Sequence, residues 1–264
     1  DHILWYKQAA DYFEESLVLG NGKMGATVFG GVDSDKIYLN DITLWSGEPV
    51  NANMNPEAYK NLAAVREALK NENYKLAEEL NKKIQGKNSE AYQPLGTMEI
   101  SNHNSGKATN YHRELDISNA ISRVTYEVDG VKFTREYFVS APDQIMVIKL
   151  TTSQKGALNF DINSSSLLKY KTEVKDNQLA MNGIAPIYEH SGYQVQPSFL
   201  LEKERGTRFT TLMKIKNTDG TITSSDTSLG LKNGTEALIY VSVATSFNGF
   251  DKNPATEGLN NKAI

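Results

Sequence analysis

The chain predicts a mainly β fold, a large antiparallel sandwich with a short two-helix insert, and three observations carry that prediction. Runs of alternating apolar and polar residues recur along most of the 264 residues. Two-residue turns built from Asp, Asn and Gly separate several of those runs. The glycine-rich opening, Leu17 to Gly47, leads from one strand-like run to the next and never into a helix.

That opening contains Gly20, Gly22, Gly25, Gly30 and Gly31, the first three spaced as Gly-x-Gly-x-x-Gly. A phosphate or dinucleotide loop needs such glycines to open a helix, whose free N–H groups and dipole meet the anion. Here Ala26-Thr27-Val28-Phe29 reads as a strand, Asp33-Ser34-Asp35 as a turn, and Ile37-Tyr38-Leu39 as a second strand. The glycines are therefore bends and close backbone approaches within a sheet. Asp33 and Asp35 resemble calcium-loop ligands, yet no further oxygens follow at that spacing, and Asx hydrogen bonds account for the turn.

A helical insert follows at about 55–86. Asn55-Pro56-Glu57 is a start signal, and Ala58, Leu62, Val65 and Leu69 then recur on one helical face. Tyr74 to Ile84 places Ala77, Leu80 and Ile84 on a second face. These faces predict two short amphipathic helices packed on the sheets, or else open to a partner.

From about residue 96 the strands resume. Arg123 to Val128 alternates, Asp129-Gly130 turns, and Val131 to Tyr137 alternates back. Gln144 to Leu150 is denser in apolar residues, as a central strand would be. Asp176-Asn177, Asp219-Gly220 and Asn233-Gly234 predict later hairpins, and Ala237 to Val243 closes the series.

Composition excludes several classes. A net charge of −4 offers no basic field for nucleic acid or anionic lipid. No apolar run approaches the ~20 residues a membrane-spanning helix needs. Zero cysteines remove disulfides, thiol nucleophiles and thiolate metal sites. His2, His103, His112 and His190 never fall at metal-ligand spacing, so neither metal nor cofactor is expected.

Longer motifs resemble one family. Leu17-Val18-Leu19-Gly20-Asn21-Gly22, the Phe29-Gly30-Gly31-Val32 turn, Leu39 to Gly47 and Tyr92-Gln93-Pro94-Leu95-Gly96 match the start of glycoside hydrolase family 95. Tyr111 to Asp116, Thr134 to Phe138, and Thr245 to Asp251 continue the match. Asp41-Ile42 departs from it, since the family more often carries Glu and then a polar residue. The resemblance implies an exo-acting α-L-fucosidase or α-L-galactosidase, inverting, with secretion or periplasmic residence. It also implies that residues 1–252 form an N-terminal super-sandwich domain and that 253–264 begin a linker. The implied Glu acid and Asp-polarised Asn base lie in a following toroid of paired helices, so no catalytic residue is carried onto this chain. Its expected partners are that catalytic domain and a fucosylated or galactosylated glycan.

Candidate contact residues follow from side-chain chemistry. Asn40, Asp41, Thr43 and Trp45 combine hydrogen-bonding groups with a ring that can stack. That loop either lines the seam with the catalytic domain or packs Trp45 under the insert. Glu189 and His190, flanked by Tyr188 and Tyr193, either face a sugar or form a solvated loop pair. His112 is expected to make a structural hydrogen bond. Two further functional classes remain open: a free-standing carbohydrate-binding module, and an assembly domain without sugar contact.

Overall fold

The computed structural model describes residues 2–47, 49, 53–86, 90–104, 106–189, 199–200 and 205–263. In chain order the first strands are β1 (Ile3–Tyr6), β2 (Leu17–Gly20), β3 (Met24–Val28) and β4 (Ser34–Asp41). The helices α1 (Leu62–Lys70) and α2 (Tyr74–Asn81) come next. Then follow β5 (Gly96–Asn102), β6 (Ala108–Asp116), β7 (Ile121–Val128), β8 (Val131–Ser140), β9 (Ile145–Thr152) and β10 (Leu158–Ser165). The remainder are β11 (Lys169–Lys175), β12 (Gln178–Ile184), β13 (Tyr188–Glu189), β14 (Phe199–Leu200), β15 (Arg208–Asn217), β16 (Thr221–Ser224), β17 (Ser228–Gly234) and β18 (Glu236–Thr245).

Two antiparallel sheets face each other. The large sheet has nine strands in the order β1-β6-β7-β8-β9-β18-β15-β12-β11, and the small sheet seven, β16-β17-β10-β5-β4-β3-β2. Strand alternation places one set of side chains inside: Val124, Tyr126, Ile148, Val241 and Met213 from the large sheet meet Leu19, Val28, Ile37, Ile100 and Phe160 from the small one. Such a core is what the period-2 pattern specifies, because a buried face constrains the register of each strand that carries one. β9 lies at the centre of the large sheet with Met146, Val147, Ile148 and Leu150 buried, as its apolar density predicts.

Two hairpins form where the sequence places them. Asp129 and Gly130 both take positive φ (49° and 80°) between β7 and β8, and Asp176 and Asn177 do so (51° and 56°) between β11 and β12. This primed geometry matches the strand twist. The turns at Asp219-Gly220 and Asn233-Gly234 are different. Each carries the chain from one sheet to the other, β15 to β16 and β17 to β18, so neither closes a hairpin. Turn chemistry signals a reversal without saying which sheet receives the next strand. Asp219 pins the two crossings together, its Oδ1 and Oδ2 accepting from the Thr235 N–H and hydroxyl at 2.6 Å each.

The Asp33-Ser34-Asp35 reading is also corrected. β4 already begins at Ser34, and Asp35 points inward, fully buried. Its Oδ1 accepts the Gly30 N–H at 2.7 Å, and its Oδ2 accepts Tyr137 Oη at 2.5 Å and Arg135 Nη1 at 3.2 Å. Arg135 also donates to the carbonyls of Gly31 (2.6 Å) and Val32 (2.9 Å) and to Tyr126 Oη (2.8 Å). A charged pair inside a sandwich is tolerable only when every donor and acceptor is met, and here the turn's own carbonyls complete the set. Burial pushes the Tyr137 hydroxyl well up, so it stays protonated and donates. Burial also raises the Asp35 carboxyl, against the downward pull of Arg135, Tyr137 and the Gly30 N–H.

The helical insert differs in detail. Ala58–Asn61 is a 3-10 turn, and α1 starts only at Leu62. Val65, Ala68 and Ala77 are buried, whereas Leu62 and Leu69 lie exposed. The two helices pack mainly on each other, so the predicted sheet-facing stripe is only partly used.

Candidate functional site

The glycine-rich opening shapes a groove on the outer face of the small sheet. Register aligns Val18, Thr27, Tyr38 and Thr97 across β2 to β5 in one outward row. The neighbouring row is Gly20, Gly25 and Asn40. The missing side chain at Gly25 leaves a depression beside a row of full-sized ones. Gly25 has no positive φ, and a Cβ there would meet only the Asn40 side chain at 3.4 Å and the Leu19 carbonyl at 3.7 Å. The backbone does not require glycine at that position; the open floor is its consequence.

The resulting cavity has a volume of about 540 Å³. Phe13, Tyr38, Tyr92, Pro94 and Leu167 form its walls, with Asn40, Thr27 and Thr97 as polar members. Among the described residues no carboxylate or histidine lines it. Phe13 stacks on Tyr38 with centroids 6.2 Å apart, and Phe29 meets Tyr38 edge-on at 4.9 Å, which fixes the Tyr38 ring.

The predicted site loop sits at the end of this groove. Asn40 points outward into it, and alternation sends Asp41 to the opposite, buried side. Asp41 Oδ1 accepts the Thr43 N–H at 2.9 Å and the Thr43 hydroxyl at 2.5 Å. Its Oδ2 is buried with no hydrogen-bond partner among the described residues. Thr43 Oγ1 also lies 2.5 Å from Thr245 Oγ1, tying the loop to the end of β18. Trp45 is half exposed, its indole N–H donating to the Ile42 carbonyl at 2.9 Å. Its ring meets Tyr92 edge-on at 5.6 Å, and Trp45 and Tyr92 form a β-bridge that closes the two ends of the insert. Burial, then the nearby Asp41, raises the Tyr92 hydroxyl.

Ser46 and Gly47 extend this platform. The Ser46 hydroxyl donates to Glu90 Oε2 at 3.0 Å, and the Gly47 N–H donates to the Pro186 carbonyl at 2.9 Å. The segment bearing Glu189 therefore leaves from beside the Trp45 loop, and Glu189 pairs with Phe199 in the β13–β14 ribbon. His190 lies outside the described residues. Asn40, Asp41, Thr43 and Trp45 are thus gathered at one end of the sandwich.

The family motifs farther along the chain turn out to be architectural. Arg113 is buried, donating to the carbonyls of Gln8 (2.7 Å) and Glu15 (2.8 Å) beneath the Tyr6 ring. Tyr111 Oη donates to the Gly30 carbonyl at 2.7 Å. His112 makes the expected structural contact, with Nε2 3.0 Å from Glu114 Oε2. Sequence reasoning missed Phe13, Tyr38, Tyr92 and Leu167 as groove walls. For Tyr38 a signal existed: a large aromatic at an outward position of an alternating strand. Among the described residues no group of three or more His, Asp or Glu is gathered to hold a metal, and no helix is long and apolar enough to cross a membrane.

A family model described as "Glycosyl hydrolase family 65, N-terminal domain" matches residues 4–249. The chain belongs to that family and is a glycoside hydrolase N-terminal domain. It is 30% identical over 247 residues to "Alpha-L-fucosidase 2" of Arabidopsis thaliana, a match covering 89% of this chain and 29% of that protein. It is 29% identical over 175 residues to "Probable alpha-fucosidase A" of Aspergillus oryzae, covering 62% of this chain and 24% of the relative. The chain thus spans less than a third of the length of these relatives.

Proposed function

We propose that this chain is the non-catalytic N-terminal domain of an exo-acting enzyme of the family 95 type, releasing terminal α-L-fucose or α-L-galactose from glycans with inversion. The domain, residues 1–252 with 253–264 leading onward, buttresses a helical catalytic toroid and helps shape its pocket entrance. The enzyme works outside the cytoplasm, secreted or periplasmic. The observation that carries this reading is the match to a fucosidase over nearly the whole chain but under a third of the relative.

Site chemistry agrees. Inverting hydrolysis needs an acid and a base about 6.5–9.5 Å apart with water between them. Asp35 is sealed in the core with its donors in place, Asp41 is buried, and among the described residues no carboxylate lines the groove. The test is to extend the reading frame and assay the full polypeptide on fucosylated and α-L-galactosylated oligosaccharides, following the first-formed anomer by proton NMR. Release of the β-anomer by the full protein and none by residues 1–264 is expected. Sugar release by the shorter chain would overturn the reading.

The ring-walled groove favours a second reading, a carbohydrate-binding module. Calorimetry with fucosylated oligosaccharides separates the two, since only the module binds them as an isolated chain.

A further inference from the structure

The groove beside Asn40 is walled by carbon. Phe13, Tyr38 and Tyr92 supply rings, and Val18, Pro94 and Leu167 supply aliphatic surface. The rings are fixed, Tyr38 by Phe13 and Phe29, and Tyr92 by Trp45. Among the described residues no charged side chain lines the groove. Its few polar groups are unpaired. The Asn40 amide lies over Gly25, with Nδ2 3.4 Å from where a Cβ would stand, and makes no side-chain hydrogen bond among the described residues. The Thr97 hydroxyl, beside Tyr38 in register, makes none among them either. Thr27 Oγ1, on the other side of Tyr38, is buried without a partner among the described residues. Polar groups held against carbon lose part of their hydration, so they favour a ligand that brings them partners.

We propose that this groove binds a neutral, planar aromatic molecule with one or two hydrogen-bonding groups, a small phenol being the simplest case. The inference goes beyond the proposed function and holds whichever glycan the full enzyme cleaves. Size permits it, since about 540 Å³ falls within the range of small-molecule sites, about 300–1,000 Å³. Charge selects a neutral ligand, because an ion would give up water and find no counter-charge among the lining residues. The pinned rings select an aromatic one, which gains offset and edge contacts beyond its buried area. A plain aliphatic chain would fill the walls and leave the Asn40 amide and Thr97 hydroxyl unmet. A sugar has the opposite fault. It carries a hydroxyl on nearly every ring carbon, more than Asn40, Thr27 and Thr97 can pair.

Methyl-selective NMR of the full-length protein tests this, with 2-naphthol as the probe. The Val18 and Leu167 methyl signals should shift saturably, while Leu212, at an outward position of the large sheet, stays unmoved. Decahydro-2-naphthol, the saturated counterpart, and 2-naphthoate, the anion, should each bind at least about tenfold more weakly. Asn40→Leu should weaken 2-naphthol about fivefold or more and leave naphthalene unchanged. Gly25→Val, which sets a branched side chain on the groove floor, should remove the shifts. The ligand series needs no variant, so a variant that fails to fold leaves the test intact. Equal binding of the saturated alcohol would overturn the inference, since the groove would then collect apolar matter without regard to rings. Shifts with a fucosylated oligosaccharide and none with 2-naphthol would overturn it too, and assign the groove to sugar. Unmoved Val18 and Leu167 signals in a folded, hydrolytically active enzyme would sink the aromatic site and leave the glycosidase reading standing.

Discussion

Arg135 of β8 and Asp35 of β4 form an ion pair in the interior of the sandwich, with Nη1 3.2 Å from Oδ2 and both side chains almost wholly buried. The pair joins the two sheets directly. Its remaining hydrogen bonds go to the Gly30-Gly31-Val32 turn and to Tyr126 and Tyr137, so the glycine motif and the Thr134-Arg135-Glu136-Tyr137 motif are two halves of one clasp.

Arg135→Ala should therefore destabilise severely. It leaves a buried carboxylate and two carbonyls without their donor, and breaking a buried pair costs about 3–5 kcal/mol. Removing both partners as Asp35→Ala with Arg135→Met should recover only part of that, because the Gly31 and Val32 carbonyls stay unmet. Urea unfolding of both variants checks the order; a double variant as stable as the parent would show the clasp is dispensable.

The glycines of the opening should differ sharply in tolerance. A Cβ at Gly31 would lie 1.9 Å from the Ser34 carbonyl oxygen, so Gly31→Ala should abolish soluble expression. Gly22 has φ +91° but open space around it, so Gly22→Ala should carry only the conformational penalty, about 1 kcal/mol. Expression yield and thermal midpoints measure the contrast.

Asp219 should give an acid-sensitive contribution to stability. Hydrogen bonds from the Thr235 hydroxyl, then from its N–H, hold the Asp219 carboxyl below its ordinary range. The folded state then binds its proton less readily than the unfolded chain, whose value is about 3.9. Its contribution is complete above that value and disappears as pH falls through the depressed folded value. The stability gap between parent and Asp219→Ala should thus be constant from pH 7 to about 5 and narrow as pH falls below about 4. A gap that stays the same at every acid pH where the chain is still folded would contradict it.

Asp41→Asn separates the two oxygens of a buried carboxylate. The Oδ1 contacts with Thr43 survive as amide acceptor bonds, while the unmet Oδ2 gives way to a neutral group. Stability of this chain should be unchanged or higher, whereas Asp41→Ala should lose about 1–2 kcal/mol by freeing Thr43. Paired denaturation curves distinguish them.

Much of this was legible in the residues. Alternation at β7 and β8 and the Asp129-Gly130 dipeptide specify that hairpin locally, because side-chain period and turn dihedrals involve only neighbours. The same logic misplaces Asp219-Gly220 and Asn233-Gly234, where identical turn chemistry joins strands of different sheets. The helical stripe at Leu62 and Leu69 has the right period, yet those leucines stay exposed. Periodicity shows that a face exists, not what covers it.

The one-dimensional chain determined its β class, the β7–β8 hairpin, its lack of thiol chemistry and the loop where Asn40, Asp41, Thr43 and Trp45 cluster. Those properties follow from alternation, composition and proximity along the backbone. Only the tertiary structure decided that Asp35 is a core clasp and not a turn ligand, and that Gly25 floors a groove walled by Phe13 and Leu167. Such relations join residues far apart in sequence, whose meeting depends on how two sheets stack, and no local pattern encodes that.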